Sequence, residues 1–269
     1  MGRGVPGGVS RAATLLDRLV EESRAEVEVR KAAVPLDRLE RRARAIAPAR
    51  NLRGALRGDR LAVIAEMKAR TPLLGRLSDT YSPAKLAAAY AGAGAAALSV
   101  LCQATSFGGR PEHVAEAREA AELPILRKDF VVDEYQLVEA RAFGADSVLL
   151  IAAVLDRKRL GTFLDLARGL GMEPLVEVHD EAEVESALAA SAAVVGVNHR
   201  DLATFQVDLG LTGHLRRLLP PDVVVVAESG IRTADDARRV RAAGADAILV
   251  GEALMRASDP ARKLRELAV

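Results

Sequence analysis

Two glutamates and two lysines each follow a short apolar segment with the composition of a buried strand. Glu66 and Lys68 lie two residues apart, so on a strand their side chains point to the same side. Lys128 and Glu177 end two later apolar segments. Because an ammonium group can donate a proton and a carboxylate can accept one, these residues are candidates for general acid–base chemistry.

Lys128 is the candidate proton donor and Glu177 the candidate general base. A lysine at a strand end, in the low-dielectric mouth of a site, loses hydration, which predicts a pKa that falls toward neutrality. Structural alternatives stay open for both lysines. Lys128 could pair with Asp129, and Lys68 could form an internal ion pair with Glu66.

Later strand ends carry groups that could bind a carboxylate. Asn198 supplies an amide and Arg200 a guanidinium, which can hold a carboxylate through two parallel hydrogen bonds. Asp201 could instead neutralise Arg200. We interpret His179 as a residue that leads into the next helix, beside Asp180 at a capping position.

Small residues after the last two strands predict a phosphate site. Ser229 and Gly230 follow one apolar segment, and Gly251 follows the next. Barrels expose backbone N–H groups to phosphate at these positions. Glu252 would then have to face away from the anion. Phe107 is notable because only 3% of the chain is aromatic, although it could simply cover the end of a barrel.

A repeat explains how these residues come together. Similar segments begin at Gly94, Gly144 and Gly244, each after an Ala-rich amphipathic stretch, and the glycines are 50 and then 100 residues apart. This pattern predicts a helix, a glycine stop and a buried parallel strand. Units of about 25 residues fit both gaps, and eight of them would span roughly 200 residues, as in a (β/α)₈ barrel.

The predicted elements alternate along the chain, which favours parallel strands with right-handed crossovers. We expect strands near residues 61–66, 95–101, 124–128, 146–151, 173–177, 193–197, 223–228 and 246–250. Capping residue types, or proline in the first turn, place the helix starts after Pro83, Pro111, Asp133, Asp156, Asp180, Thr212, Thr233 and Ser258.

The fold class expected is therefore α/β, one (β/α)₈ barrel over residues 60–269. Residues 11–59 are expected to form a helical extension, with helices at 12–31 and 35–47, interpreted as solvated helices packed on the barrel rather than as a partner-binding module. Residues 1–10 are glycine-rich and predicted to be a disordered lead.

Composition narrows the class of protein. The net charge is +1, which argues against nucleic acid as a partner. The longest apolar run, 148–155, is far shorter than the roughly 18 residues of a membrane span. The single cysteine, Cys102, allows no internal disulfide and favours a reducing compartment, so we expect cytoplasmic residence. The sequence gives no indication of an obligate protein partner or of a metal cluster.

Together, these strand ends resemble the indole-3-glycerol-phosphate synthase family. The matching segments are 64–68, 124–130, 175–179, 198–202, 227–231 and 250–255. The likeness runs from about residue 63 to 255, and the N-terminal helices match the family's extension. The resemblance implies a cofactor-free lyase reaction that closes, decarboxylates and dehydrates 1-(2-carboxyphenylamino)-1-deoxyribulose 5-phosphate.

The resemblance also implies roles for particular residues. Lys128 would be the general acid and Glu177 the general base, with Glu66 and Asn198 orienting and Lys68 supplying positive charge. The aromatic end of the substrate would contact Thr71, Phe107, Phe130, Leu149, Arg200 and Leu202. The phosphate would contact Ser229, Gly230, Gly251 and Glu252.

Two loops depart from the family pattern. After the first strand the family has Lys-Arg-x-Ser-Pro-Ser, where this chain has Lys-Ala-Arg-Thr-Pro-Leu at 68–73. After the second it has Thr-Asp-x-x-x-Phe, where this chain has Cys-Gln-Ala-Thr-Ser-Phe at 102–107. A paralogue acting on a related anthranilate derivative is one alternative. Others are a sugar-phosphate isomerase, a Schiff-base aldolase using Lys128 or Lys68, and a non-catalytic phosphate-binding barrel.

Overall fold

Eight parallel strands close into a barrel in the computed structural model, which describes residues 14–72, 75–77, 81–201 and 204–269. The strands are β1 (Ala62–Met67), β2 (Arg70–Thr71), β3 (Gly75–Arg76), β4 (Ala97–Leu101), β5 (Ile125–Lys128), β6 (Ser147–Ile151), β7 (Leu175–Val178), β8 (Val194–Asn198), β9 (Val224–Glu228) and β10 (Ala247–Val250). Of these, β2 and β3 form a separate two-stranded hairpin outside the barrel. Around the barrel the order is β1-β10-β9-β8-β7-β6-β5-β4. Each predicted strand coincides with a barrel strand, so the (β/α)₈ prediction is confirmed.

Helices surround the barrel and precede it. They are α1 (Leu15–Ala33), α2 (Leu36–Ala45), α3 (Leu52–Ala55), α4 (Pro83–Gly92), α5 (Ala104–Phe107), α6 (Glu112–Ala120), α7 (Glu134–Ala142), α8 (Arg157–Gly169), α9 (Glu181–Ala189), α10 (Leu211–Arg216), α11 (Ala234–Ala242), α12 (Glu252–Met255) and α13 (Pro260–Leu267). Within the described ranges, no helix is long and apolar enough to cross a bilayer.

Most predicted helix starts are confirmed by capping hydrogen bonds. Asp133, Asp156 and Asp180 each accept a backbone N–H at the start of α7, α8 and α9. Two starts are wrong. Thr212 lies inside α10, where it is buried with its hydroxyl 2.6 Å from His199 Nε2. Asp259, rather than the preceding serine, caps α13.

The repeat glycines behave as predicted. Gly94, Gly144 and Gly244 adopt φ values of 93°, 92° and 95° directly after their helices. Such left-handed backbone angles cost little for glycine and terminate a helix before the next strand.

The barrel interior is a separate apolar layer. Inward-facing residues such as Ile64, Leu126 and Leu175 form one buried cluster with Leu52 of the short helix α3 and with Leu56 at its C-terminal cap. The sequence did not predict this helix. The outward-facing residues of the strands pack against the surrounding helices. Each strand can thus be apolar on both faces, as parallel barrel strands require.

The two N-terminal helices contact the outside of the barrel. Val27 of α1 and Leu39 of α2 pack with Tyr135 and Val138 of α7. The Tyr135 hydroxyl donates to the backbone carbonyls of Arg30 and Val34. The predicted disordered lead, 1–10, lies outside the described residues.

Candidate active site

A lysine between two glutamates lies at the carboxyl ends of the strands. Lys128 Nζ is 3.0 Å from Glu177 Oε2 and 3.0 Å from Glu228 Oε2. Asn198 Nδ2 donates to Glu177 Oε1 at 3.1 Å. All four side chains continue the inward-facing alternation of β5, β7, β8 and β9, which explains why residues far apart in the chain meet here.

Glu66 and Lys68 form a second pair beside the first. Lys68 Nζ donates to Glu66 Oε1 at 2.6 Å. The Glu66 side chain is 4% exposed and that of Lys68 15%, so the pair lies at the wall of the site rather than in solvent. The ion pair considered from the sequence is therefore present, and it lines the cavity that holds Lys128.

The predicted fall in the pKa of Lys128 is wrong. Burial does lower the pKa, but the carboxylates of Glu177 and Glu228 outweigh burial and hold it above its ordinary value. The alternative pairing with Asp129 is wrong as well. Asp129 Oδ2 instead accepts from the fully buried Arg127 at 2.8 Å.

The carboxylates on the two sides of Lys128 differ in their tendency to ionise. Burial opposes the charge of Glu177, but Lys128, His179 and the Asn198 amide favour it, so the pKa of Glu177 lies below its usual range. Burial and the neighbouring charge of Glu177 raise the pKa of Glu228, despite Lys128. Glu228 Oε1 meets no hydrogen-bond donor among the described residues. Glu177 is thus the carboxylate that its neighbours hold ionised, and Glu228 is the one that more readily carries a proton.

Two glycines make room for the carboxylates of Glu228 and Glu66. A Cβ at Gly196 would meet Glu228 Oε1 at 2.1 Å, and a Cβ at Gly251 would meet Glu66 Oε1 at 2.2 Å. Since real Cβ atoms do not approach so closely, any side chain at either position would displace a carboxylate.

His179 is closer to the site than its interpretation as a helix-leading residue implies. It does lead into α9, because its backbone N–H and Nδ1 lie 2.7 and 3.1 Å from Glu183 Oε2. Its Nε2, however, is buried 3.5 Å from Glu177 Oε1. Burial lowers the pKa of His179, but Glu183 and Glu177 outweigh burial and raise it. Glu183 and Glu177 thus favour the charged form of His179 beside the candidate base.

An apolar wall faces the charged cluster. The rings of Phe107 and Phe130 are 6.3 Å apart between centroids. Leu149 lies on the same cavity, as does Arg200, whose backbone N–H donates to Asn198 Oδ1 at 3.1 Å. The wall could hold a flat ring with a guanidinium at its edge. Leu202 lies outside the described residues.

The loops after β9 and β10 form the other end of the cavity. Ser229 and Gly230 both have left-handed backbone angles, φ 67° and 78°. The Ser229 carbonyl lies 2.9 Å from His199 Nδ1, which fixes the turn. Glu252 Oε1 lies 3.8 Å from a guanidinium nitrogen of both Arg232 and Arg256, so arginines offset its charge.

One cavity of about 360 Å³ joins the charged cluster around Lys128, the apolar wall and the loops after β9 and β10. Its lining includes every predicted site residue that the structure describes, namely Glu66, Lys68, Thr71, Phe107, Lys128, Phe130, Leu149, Glu177, Asn198, Arg200, Ser229, Gly230, Gly251 and Glu252. A cavity of this size suits a small molecule with a polar and an apolar end. Among the described residues, no group of His, Cys, Asp and Glu side chains is arranged to hold a metal ion.

Comparison with known proteins identifies the family. A family model described as "Indole-3-glycerol phosphate synthase" matches residues 16–267. "Indole-3-glycerol phosphate synthase 2" of Streptomyces coelicolor is 54% identical over 232 residues, which cover 86% of this chain and 90% of that protein. The "Indole-3-glycerol phosphate synthase" of an Arthrobacter species is 46% identical over 238 residues, covering 87% and 88%. The chain belongs to the indole-3-glycerol phosphate synthase family.

The barrel itself is shared more widely than the indole-3-glycerol phosphate synthase family. "Thiamine phosphate pyrophosphorylase from Pyrococcus furiosus" aligns with a TM-score of 0.59 and 20% identity over 81% of this chain and 96% of that one. At this identity the likeness concerns the fold alone.

The sequence interpretation of this indole-3-glycerol phosphate synthase family member missed two contributions to the site. The predicted site does not include Glu228, although Glu228 ends an apolar strand, which is the same signal that indicates Glu66 and Glu177. Leu15, Leu16 and Leu19 of α1 also line the cavity. No local pattern indicates this, because the contact depends on how α1 lies across the barrel mouth.

Proposed function

We propose that this protein converts 1-(2-carboxyphenylamino)-1-deoxyribulose 5-phosphate into indole-3-glycerol phosphate, releasing one CO₂ and one water and using no cofactor. The observation that carries the proposal is the position of Lys128 between Glu177 and Glu228 at the base of a cavity with an aromatic wall. Family membership supports the same reaction.

Ring closure would use Lys128 as the acid. The ring carbon that bears the carboxylate attacks the C2 carbonyl carbon, and the carbonyl oxygen takes a proton from the Lys128 ammonium group. The two carboxylates keep Lys128 protonated, so the donor is charged at neutral pH. Glu228, with its raised pKa, lies where it could return a proton to the lysine.

Decarboxylation and dehydration would follow in the same cavity. Loss of CO₂ restores the aromatic ring, and the C2 hydroxyl leaves as water after protonation. Glu177 would accept the proton released as the indole forms, since its low pKa keeps it ionised. Asn198 and Glu66 would orient the reacting groups.

Substrate binding would divide between the two ends of the cavity. Phe107, Phe130 and Leu149 would pack on the anthranilate ring, and Arg200 would meet its carboxylate.

Phosphate would bind at the loops after β9 and β10. Ser229, Gly230 and Gly251 leave the backbone accessible there, and Lys68 supplies charge. The Glu252 backbone would contribute, while its carboxylate stays with Arg232 and Arg256.

The Schiff-base alternative fits this site poorly. A nucleophilic lysine must lose its proton, and the neighbouring carboxylates oppose that loss at Lys128. Borohydride treatment in the presence of substrate is therefore expected to trap no adduct on Lys128, and a trapped adduct would contradict the proposed role.

The proposal is tested by following indole-3-glycerol phosphate fluorescence in Lys128 variants. Lys128→Ala is expected to lose about 10³-fold or more in kcat, in the range for a positioned acid. Lys128→Arg should also fail, because a planar guanidinium cannot take the place of the compact ammonium between Glu177 and Glu228. Lys158→Ala, on the exposed start of α8, is the matched control. Retained turnover in Lys128→Ala would exclude this lysine as the acid.

A further inference from the structure

The loop after β4 is held by a glutamate of the N-terminal helix. Glu26 of α1 accepts hydrogen bonds from the backbone N–H of Ala104 at 3.2 Å and of Thr105 at 2.8 Å. It also accepts from Thr105 Oγ1 at 2.6 Å. Its side chain is only 15% exposed, so these charge-assisted bonds are partly shielded from water.

A second glutamate, one helical turn earlier, holds the same loop. Glu22 Oε2 accepts from Gln103 Nε2 at 3.0 Å and from Ser106 Oγ at 2.7 Å. Gln103 Nε2 lies 3.2 Å from Glu26 Oε1 as well. We call Glu22 and Glu26, with segment 103–106, the acidic clamp.

An arginine side chain contacts the opposite side of segment 103–106. Arg70 of β2 donates to the backbone carbonyls of Thr105 and Ser106. The segment is thus fixed from two directions, through its N–H groups by α1 and through its carbonyls by β2.

The clamped segment ends in a wall of the cavity. Phe107 follows directly and faces Phe130 across 6.3 Å. The residues of α1 that precede the clamp, Leu15, Leu16 and Leu19, line the same cavity. The helix that holds the loop therefore also forms part of the surface beside it.

Gln103 matches the two glutamates chemically. Its Oε1 accepts from the N–H groups of Ser106 and Phe107 at 2.8 and 3.2 Å, while its Nε2 donates to Glu22 and Glu26. An aspartate, found here in the family pattern, has acceptors only and would place a third carboxylate against the clamp. Gln103 therefore suits the partners that α1 supplies in this chain.

We infer that Glu22 and Glu26 are positioning residues of the active site, which hold segment 103–106 so that Phe107 forms a fixed wall for the aromatic end of the substrate. The inference rests on the proposed function for its substrate. A wall ordered before binding spares the substrate the entropy cost of ordering the loop, so the clamp should act on substrate affinity rather than on the chemical step.

Glu26→Ala provides the first test, with Glu28→Ala as its control. Glu28 is 72% exposed on the same helix and pairs with Lys31. Loss of several charge-assisted hydrogen bonds predicts a KM raised about tenfold, with kcat within about twofold of wild type. A fall in kcat at unchanged KM would overturn the inference.

Charge rescue provides the second test. Gln103→Asp should raise KM by a similar factor, and Gln103→Asp combined with Glu26→Gln should recover most of that loss. A double variant no better than Gln103→Asp would show that the charge match does not position the loop, and would overturn the inference.

Amide exchange tests the clamp without turnover. In wild type, hydrogen–deuterium exchange at Ala104 and Thr105 should be slow, and Glu26→Ala should make it about tenfold faster or more while the barrel strands stay protected. Unchanged exchange would overturn the clamp. This readout needs no substrate. An inactive wild-type protein would therefore contradict the proposed function, whereas the clamp would still be tested by amide exchange.

Discussion

The Glu228 carboxylate lies against the backbone of Gly196, where a Cβ atom would meet Glu228 Oε1 at 2.1 Å. The glycine in β8 therefore determines where Glu228 can lie, and so how Lys128 is held. Gly196→Ala should push Glu228 from Lys128 and reduce kcat/KM by about tenfold or more, at a stability cost of about 1–3 kcal/mol for overpacking.

The matched control for Gly196→Ala is Gly161→Ala. A Cβ at Gly161, in α8, would meet no atom within 4 Å apart from its chain neighbours and the backbone of its own helix. This variant should keep full activity and gain slightly in stability, because alanine is the better helix former. Steady-state kinetics and thermal unfolding of both variants check the prediction. Full activity in Gly196→Ala would show that the position of Glu228 does not matter.

Removing the charge of Glu228 should change the alkaline side of the pH–rate profile. Glu228 is one of the carboxylates that raise the pKa of Lys128, so Glu228→Gln should lower that pKa. An acid must be protonated to act, and activity is lost as pH rises through its pKa. The alkaline limb of kcat/KM is thus expected at lower pH in Glu228→Gln than in wild type. A limb that stays in place would contradict the coupling of the two residues.

Removing His179 should change the acid side of the profile. The pKa of Glu177 lies below its usual range because Lys128, His179 and Asn198 favour its charged form. Glu228 faces the same cluster. A general base loses activity as pH falls through its pKa, so His179→Asn should move the acid limb to higher pH. His214→Asn, at an exposed histidine paired with Glu181, is the control. Equal acid limbs in wild type and His179→Asn would count against this assignment.

A buried charge network beneath the site should matter for stability. Arg127 is fully buried and lies 2.8 Å from Asp129 Oδ2 and 2.7 Å from Glu139 Oε2. Glu139 also pairs with Arg30 of α1 at 3.0 Å. Because Glu139→Ala leaves a buried guanidinium short of a partner, it should lower the free energy of unfolding by about 3 kcal/mol.

An exposed ion pair is the comparison for that network. Arg157 and Glu185 are 56% and 75% exposed, so Arg157→Ala should change stability by less than about 1 kcal/mol. Urea unfolding of both variants makes the comparison. Similar losses in the two would contradict a special role for the buried network.

The barrel and most of its site could be predicted because they depend on local patterns. Apolar segments and capping residues locate strands and helices, and strand alternation places Glu66, Lys128 and Glu177 on one inward-facing side. The pKa of Lys128 could not be predicted this way. Its partners Glu177 and Glu228 are 49 and 100 residues away, and they decide the sign of the shift.

Contacts between surface elements that are distant in the chain could not be predicted from the sequence either. Glu22 and Glu26 look like ordinary solvated residues of a charged helix, and only the packing of α1 brings them to a loop about 80 residues away. Thr212 has the composition of a helix cap but is buried against His199 instead. Tertiary partners overrode local preference in these cases.

The products formed by the wild-type protein test the proposed lyase reaction most directly. Incubation with 1-(2-carboxyphenylamino)-1-deoxyribulose 5-phosphate, carrying an isotopic label in the carboxylate, allows indole fluorescence and labelled CO₂ to be followed together. We predict that both products form at equal rates and in equal amounts, and that Lys128→Ala forms neither at a comparable rate. Binding of the substrate without release of labelled CO₂ would contradict the account.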